Sequence, residues 1–257
     1  MLRKAVFTLL TLTLIALPAA AELSLDEILA TNLESKGGKE SLDALKSVQI
    51  EGRLSIQPGM EAPITIQMQR PNHFRMEFSL QGMTGIQAFD GETGWQVMPF
   101  GGSSEPEKMT GEDLEGMMEQ ADFDGPLINY KEKGHKVELL GTEEVDGTEA
   151  YKLKLTLSNG SESTLFLDTE YCLEMKTVSK REVQGMSIEV EQVLGDYKEV
   201  AGTMMAHSMT QKMQGQPGPS LTFETVTANV EIDGDRFAMP AVEEKAEGDE
   251  VKEEAGE

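Results

Sequence analysis

Apolar residues near the start of the chain recur at helical spacing. Leu25, Ile28, Leu29 and Leu33 share one face behind a Ser24…Glu27 capping-box pattern. Gly37-Gly38 stops that helix, and a second short one is predicted from Lys39 to Lys46 with Leu42 and Leu45 facing inward. At Val48 the period changes from about four to two. Val48, Ile50, Leu54 and Ile56 alternate with Gln49, Glu51, Arg53 and Ser55. After the Pro58-Gly59 turn, Ile64, Ile66 and Met68 alternate with polar residues, and after Pro71-Asn72 so do Phe74, Met76 and Phe78. Asp90-Gly91 is a hairpin signal before a strand holding Trp95 and Val97.

A Gly-, Ser-, Glu- and Pro-rich loop over 100–110 precedes a third helix, capped by Thr110, with Leu114, Met117 and Met118 at i, i+3, i+4. Residues 122–135 read as irregular. Strands resume at Val137–Leu140 and at 151–157, and Asn159-Gly160 marks a tight hairpin. Further strands are predicted over about 163–168, 173–180, 186–194, 203–213 and 220–230. The tally is about eleven strands and three helices, joined mostly by short turns, which makes the sheet antiparallel. The predicted fold is mainly β (α+β): an unclosed antiparallel β-barrel or large curved sheet with helices over its concave side.

The two ends differ from this body. Arg3 and Lys4 precede an apolar run from Ala5 to Leu17, then Pro18 and the small residues Ala19 and Ala21. Residues 1–21 therefore read as a signal peptide cleaved after Ala21 for export to the periplasm. Glu22, not cysteine, follows the cut, so no lipid anchor is expected. Residues 22–240 form one expected domain. Residues 241–257 carry eight acids and two lysines and read as a disordered tail. The net charge of −24 argues against nucleic acid as a partner. Cys172 is the only cysteine, so the fold does not rest on an internal disulfide.

No catalytic constellation emerges. His73, His135 and His207 are far apart, no H-E-x-x-H, C-x-x-C, G-x-S-x-G or Walker loop occurs, and no metal or cofactor is implied. His207 reads as a core or pocket-lining residue. Sixteen methionines are abundant for this length. They fit either a surface adapting to flexible ligands or ordinary core filling. Arg70 continues the parity of Ile64, Ile66 and Met68, which turns a charge toward an apolar face. It either reaches polar partners at the rim of a hollow or bends to water at the strand end.

Arg70-Pro71-Asn72-His73-Phe74, then Asp90-Gly91-Glu92-Thr93-Gly94-Trp95, then Pro99-Phe100, resemble the R-P-N-x-F … D-G-x-x-x-W … P-F pattern of the LolA family, periplasmic carriers of outer-membrane lipoproteins. Phe237-Ala238-Met239-Pro240 resembles that family's closing F-x-x-P segment. Ala121–Gly141 and Asp196–Gly202 are similar to a broader branch of LolA-like sorting proteins. The resemblance covers residues 22–240. It implies helices acting as a lid over a hydrophobic cavity, acyl chains of lipoproteins or lipids as cargo, an inner-membrane donor complex and an outer-membrane acceptor. It implies that Arg70 holds the lid closed by hydrogen bonds and that Phe74 lines the cavity. The candidate ligand-binding set is Arg70, Phe74, Met76, Phe78, Trp95, Leu114, Met117, Met118, Met205 and Met209. On this basis Phe74→Glu is expected to impair loading or release more than folding. The alternative implied by the resemblance is a lipid-sensing periplasmic module that signals to a membrane partner.

Overall fold

The structure, a computed structural model, describes residues 23–101, 104–183 and 186–241. The expected signal peptide, and the acidic tail beyond Ala241, lie outside the described residues. Helices α1 (Leu25–Ser35) and α2 (Gly38–Ala44) open the described chain. Five strands follow: β1 (Ser47–Gln57), β2 (Met60–Gln69), β3 (His73–Leu80), β4 (Met83–Phe89) and β5 (Gly94–Val97). The short β6 (Glu107–Lys108) leads into α3 (Gly111–Ala121). Beyond the irregular 122–135 stretch come β7 (Lys136–Val145), β8 (Thr148–Thr156), β9 (Glu162–Asp168), β10 (Glu174–Val183) and β11 (Met186–Gly195). A small hairpin, β12 (Lys198–Val200) and β13 (Thr203–Met205), precedes β14 (Ser208–Met213) and β15 (Gln216–Ala228).

Thirteen described strands form one antiparallel sheet in the order β6-β5-β4-β3-β2-β1-β15-β14-β11-β10-β9-β8-β7. The sheet does not close, because β6 and β7 remain its two edges. The strand count exceeds the expected eleven for local reasons. β4, β6 and β12 had no separate signal, and the single strand expected over 203–213 is broken into β13 and β14. At the break, His207 turns inward, its ring nitrogen Nδ1 2.9 Å from the Met205 carbonyl, and its backbone N–H reaches Gly195.

The helices lie on one face of this sheet. Register carries that face from Leu165 through Thr177, Gln192 and Gln211. It continues from Leu194 through Met209, Leu221 and Leu54 to Ala62 and, two residues along, Ile64 and Phe78. Two apolar clusters sit on it. In the first, Ile28 of α1 packs with Leu153, Leu155, Leu165 and Leu167 of β8 and β9 and with Leu127. In the second, Met117 and Ala121 of α3 pack with Ile64, Ile66, Phe74 and Phe89 of β2 to β4. Between them Leu194, Met209, Leu221 and Leu54 are only half-buried.

Trp95 belongs to the opposite face. It pairs with Ala88, which pairs with Arg75, whereas Phe89 and Gly94 carry the helix-bearing face. Its indole N–H donates to the Phe237 carbonyl over 2.8 Å, so the closing F-x-x-P segment packs on the outer side. Phe237 is fully buried there against His73.

Candidate functional site

Arg70 sits at the end of β2 where the cis Arg70–Pro71 bond turns the chain. Its guanidinium is under a quarter exposed. Nε donates to the Leu45 carbonyl over 2.7 Å and Nη2 to the Leu42 carbonyl over 2.9 Å. These carbonyls lie at the C-terminus of α2, where Leu42 also accepts the Leu45 N–H and where a cation favours the helix dipole. Nη1 donates to Asp124 Oδ2 over 2.8 Å, Nη2 closes the bidentate pair, and the Phe123 ring lies 4.6 Å from the guanidinium carbon. Burial pushes the Asp124 carboxyl up, but the Arg70 hydrogen bond and charge, with Lys133 and Lys39, hold it below the usual carboxylate range. The arginine is a bidentate clamp rather than a strand-end residue bent to water. It joins the α1–α2 segment to the segment leaving α3.

That second segment is itself stapled. Lys133 Nζ reaches both Asp122 oxygens over 2.7 Å and the Gly125 carbonyl over 2.8 Å. From there the chain crosses to the α1 half, where Leu127 is buried. A shallow, mainly apolar hollow of about 320 Å³ lies between α1 and this crossing, lined by Leu29, Ala30, Leu33, Leu127 and Tyr130.

Beneath α3 lies the apolar face that the parity predicted. Phe74, Met76 and Phe78 pair with Met68, Ile66 and Ile64. Phe74 is buried and the other two are partly so. Leu114 and Met117 point down onto this face, and a β-carbon on Gly94 would meet the Leu114 Cδ1 at 2.8 Å and push that side chain aside. With α3 seated, Phe74 is a closed-core residue. A carboxylate there costs folding as well as any cargo contact, contrary to the expectation for Phe74→Glu.

The remaining candidates separate. Trp95 does not face this site; it anchors the C-terminal segment on the outer side. Met118 points away, 53 % exposed. Met209 is on the helix-bearing face, but in the half-buried strip between the clusters, and Met205 sits in the β12–β13 hairpin. Asp124, Phe123, Phe89 and Met109 belong to the site and had no sequence signal. Asp124 was one acid among 46, marked only by its Arg70 contact. Cys172 is buried, with its thiol pushed up to about 11 by burial and by the Asp168 charge, which is inert chemistry. Among the described residues no three metal-ligating side chains converge.

No family model and no curated protein sequence matches this chain. Solved structures do. A DUF1329 family protein of Desulfovibrio piger superposes with a TM-score of 0.59 at 12 % identity, covering 83 % of this chain and 97 % of that one. A LolA superfamily protein of Nitrosomonas europaea gives 0.54 at 14 % identity, with 84 % and 98 % covered. The fold is LolA-like. A protein of Vibrio parahaemolyticus, described as an outer membrane lipoprotein-sorting protein domain, gives 0.54 at 13 % identity, with 82 % and 94 % covered. At these identities the likeness is one of fold. Within the LolA-like fold, Arg70 occupies the junction of both covering segments. The described residues contain no helix long and apolar enough to cross a membrane.

Proposed function

We propose that this chain is a periplasmic carrier that shields acyl chains of lipoproteins or lipids and moves them toward the outer membrane. The observation that carries this reading is the Arg70 clamp. One side chain holds the carbonyl end of α2 and Asp124 behind α3, at the margin of an apolar face built from Ile64, Ile66, Phe74, Met76 and Phe78. Releasing α3 uncovers that face without disturbing the β-ladders. An acyl chain replaces the helix's apolar side there, and methionine-rich walls adapt to it at low cost. Each buried methylene contributes about 0.8 kcal/mol, so one long chain supplies ample affinity. The cost of displacing α3 tempers that affinity and lets cargo leave. No bond is made or broken. Donor and acceptor would be an inner-membrane complex and an outer-membrane receptor, as in the family the motifs resemble.

Native mass spectrometry of the chain isolated from a periplasmic extract, with titration of a fluorescent fatty acid, tests this. Co-purifying amphiphile and displaceable probe binding are expected. Absence of both overturns the carrier reading.

A further inference from the structure

Antiparallel order places the hairpin turns at alternate ends of the sheet. One end carries Arg70 and the turns after β2, β4, β7 and β9, together with residues 196–197. These turns are acidic, holding Asp90, Glu92, Asp146, Glu170 and Asp196. The opposite end differs in kind. Four hairpins adjacent in the sheet, β3–β4, β1–β2, β14–β15 and β10–β11, turn there. Their last cross-strand pairs are Leu80/Met83, Gln57/Met60, Met213/Gln216 and Val183/Met186. Each contains one methionine. With 16 methionines in 257 residues, four in a row is more than composition supplies.

These methionines are presented rather than packed. Met83 is 39 % exposed, Met213 43 % and Met186 64 %, while Met60 is half-buried. Phe100, 40 % exposed, stacks on Phe78 beside β4 at the same end. The turns Gln81-Gly82 and Gln214-Gly215 have positive φ at both central residues, the tight type I′ geometry that holds the flanking side chains at the tip. No residue in the four turns or their terminal pairs is charged, in a chain of net charge −24. Acids stand nearby but outside the turns and their terminal pairs, with Glu182 directly before Val183 in β10. Glu61 and Glu224 both pair with Arg53, Glu105 lies in the loop after β5, and Glu115 of α3 meets Asn159 of the next hairpin along, where the row ends.

We infer that this charge-free methionine fringe docks the chain on a lipid bilayer surface. Neighbouring hairpins are two strands apart, so the tips stand roughly 10 Å from one another along the sheet end. Single flexible thioethers at that spacing offer no fixed surface for a shaped protein partner. They suit a fluid interface, which requires no register. The charge pattern agrees. An acidic chain is repelled by anionic lipid headgroups, and least so at an end whose four turns carry no acids.

Flotation of the full chain with phosphatidylcholine vesicles, with and without phosphatidylglycerol, tests this. Binding to phosphatidylcholine is expected, weakened by phosphatidylglycerol at low salt. The Met83→Gln/Met186→Gln/Met213→Gln variant is expected to bind about tenfold more weakly or worse, with its unfolding midpoint unchanged. Leu140→Gln, equally apolar and 53 % exposed on the edge strand β7, is expected to bind as the parent does. The apolar run 5–17 is common to all variants and cancels. In the unaltered chain, vesicles are expected to protect Met83, Met186 and Met213 from peroxide oxidation more than Met118. Absence of vesicle binding, equal binding by the triple variant, or uniform protection overturns the inference. So does a dimer in sedimentation velocity that the triple variant abolishes without any vesicle binding. Because the vesicles need no cargo, the carrier reading stands or falls separately.

Discussion

The two halves of the helix-bearing face are covered in different ways. In the first, α1 is fastened at both ends. Ser24 and Glu27 complete a capping box, Ile28 is fully buried among leucines, and Lys36 pairs with Glu174 at 2.5 Å. Asn32, buried on the same helix face, donates to the Cys172 carbonyl over 2.7 Å. In the second, α3 has the same length, but its fastenings lie at and beyond its C-terminus, in the Lys133–Asp122 and Arg70–Asp124 pairs. Thr110 makes no side-chain cap bond, and the buried residues of α3 are Gly116, Met117 and Ala121, with Leu114 packed beside them. Glu119 stands near its C-terminus, against the helix dipole. The residue is exposed overall, but desolvation of its carboxyl raises the pKa, with Arg181 opposing the shift and Glu115 adding to it. The lesson is a division of labour. On the proposed carrier reading the α1 half stays seated and the α3 half opens, with Arg70 tying the two.

Substitutions that separate the halves follow. Ile28→Ala is expected to lower global stability by about 3 kcal/mol in chemical denaturation, because the rigid leucine cluster cannot collapse around the gap. Met117→Ala is expected to cost clearly less globally and to act mainly on α3, seen as lost amide protection confined to residues 111–121. Equal global losses would erase the distinction. Arg70→Ala is next in size, at about 2 kcal/mol, since it strands the largely buried Asp124 carboxylate and removes the guanidinium's bonds to the helix-end carbonyls. Hydrogen exchange should rise in α2 and in 122–126 together; a rise in one alone would show that Arg70 does not couple them.

Acidification sharpens the comparison. Asp124 has a depressed folded pKa, so its contribution is present above the ordinary carboxylate range and is lost as pH falls through its folded value. Glu119 has a raised folded pKa, so the seating of α3 strengthens as pH falls through that value toward the ordinary carboxylate range. Protection of α3 is therefore expected to rise slightly on mild acidification, before the Arg70 clamp fails at lower pH. A monotonic fall from neutral pH would contradict this. The smallest effect is expected for Thr110→Asp, which adds a cap and a favourable dipole contact worth about 0.5 kcal/mol and should slow α3 exchange alone.

Much of the frame was legible because side-chain parity is local. Ile64, Ile66 and Met68 and Phe74, Met76 and Phe78 alternate cleanly, and their cross-strand pairing follows from the Pro71-Asn72 turn. The α1 face and its capping box were equally plain. What escaped depends on distant partners. Trp95 reads as an inner aromatic until Phe237, far along the chain, is placed beneath it. Asn32 carries no signal of its own until the positive-φ turn at Cys172 brings a carbonyl to it. The 122–135 stretch reads as irregular, which it is, yet it supplies Asp124 to the clamp and Leu127 to the first cluster. Irregular backbone has no period to expose such roles.

The most direct test of the account is photo-crosslinking of a diazirine-bearing fatty acid to the loaded chain, with the labelled residues mapped by mass spectrometry. Label is predicted on Phe74, Met76, Phe78 and Met117, beneath α3, and is expected to fall when excess fatty acid competes. Label concentrated in the hollow of Leu29, Leu33 and Leu127, or spread without preference over both halves, would contradict it.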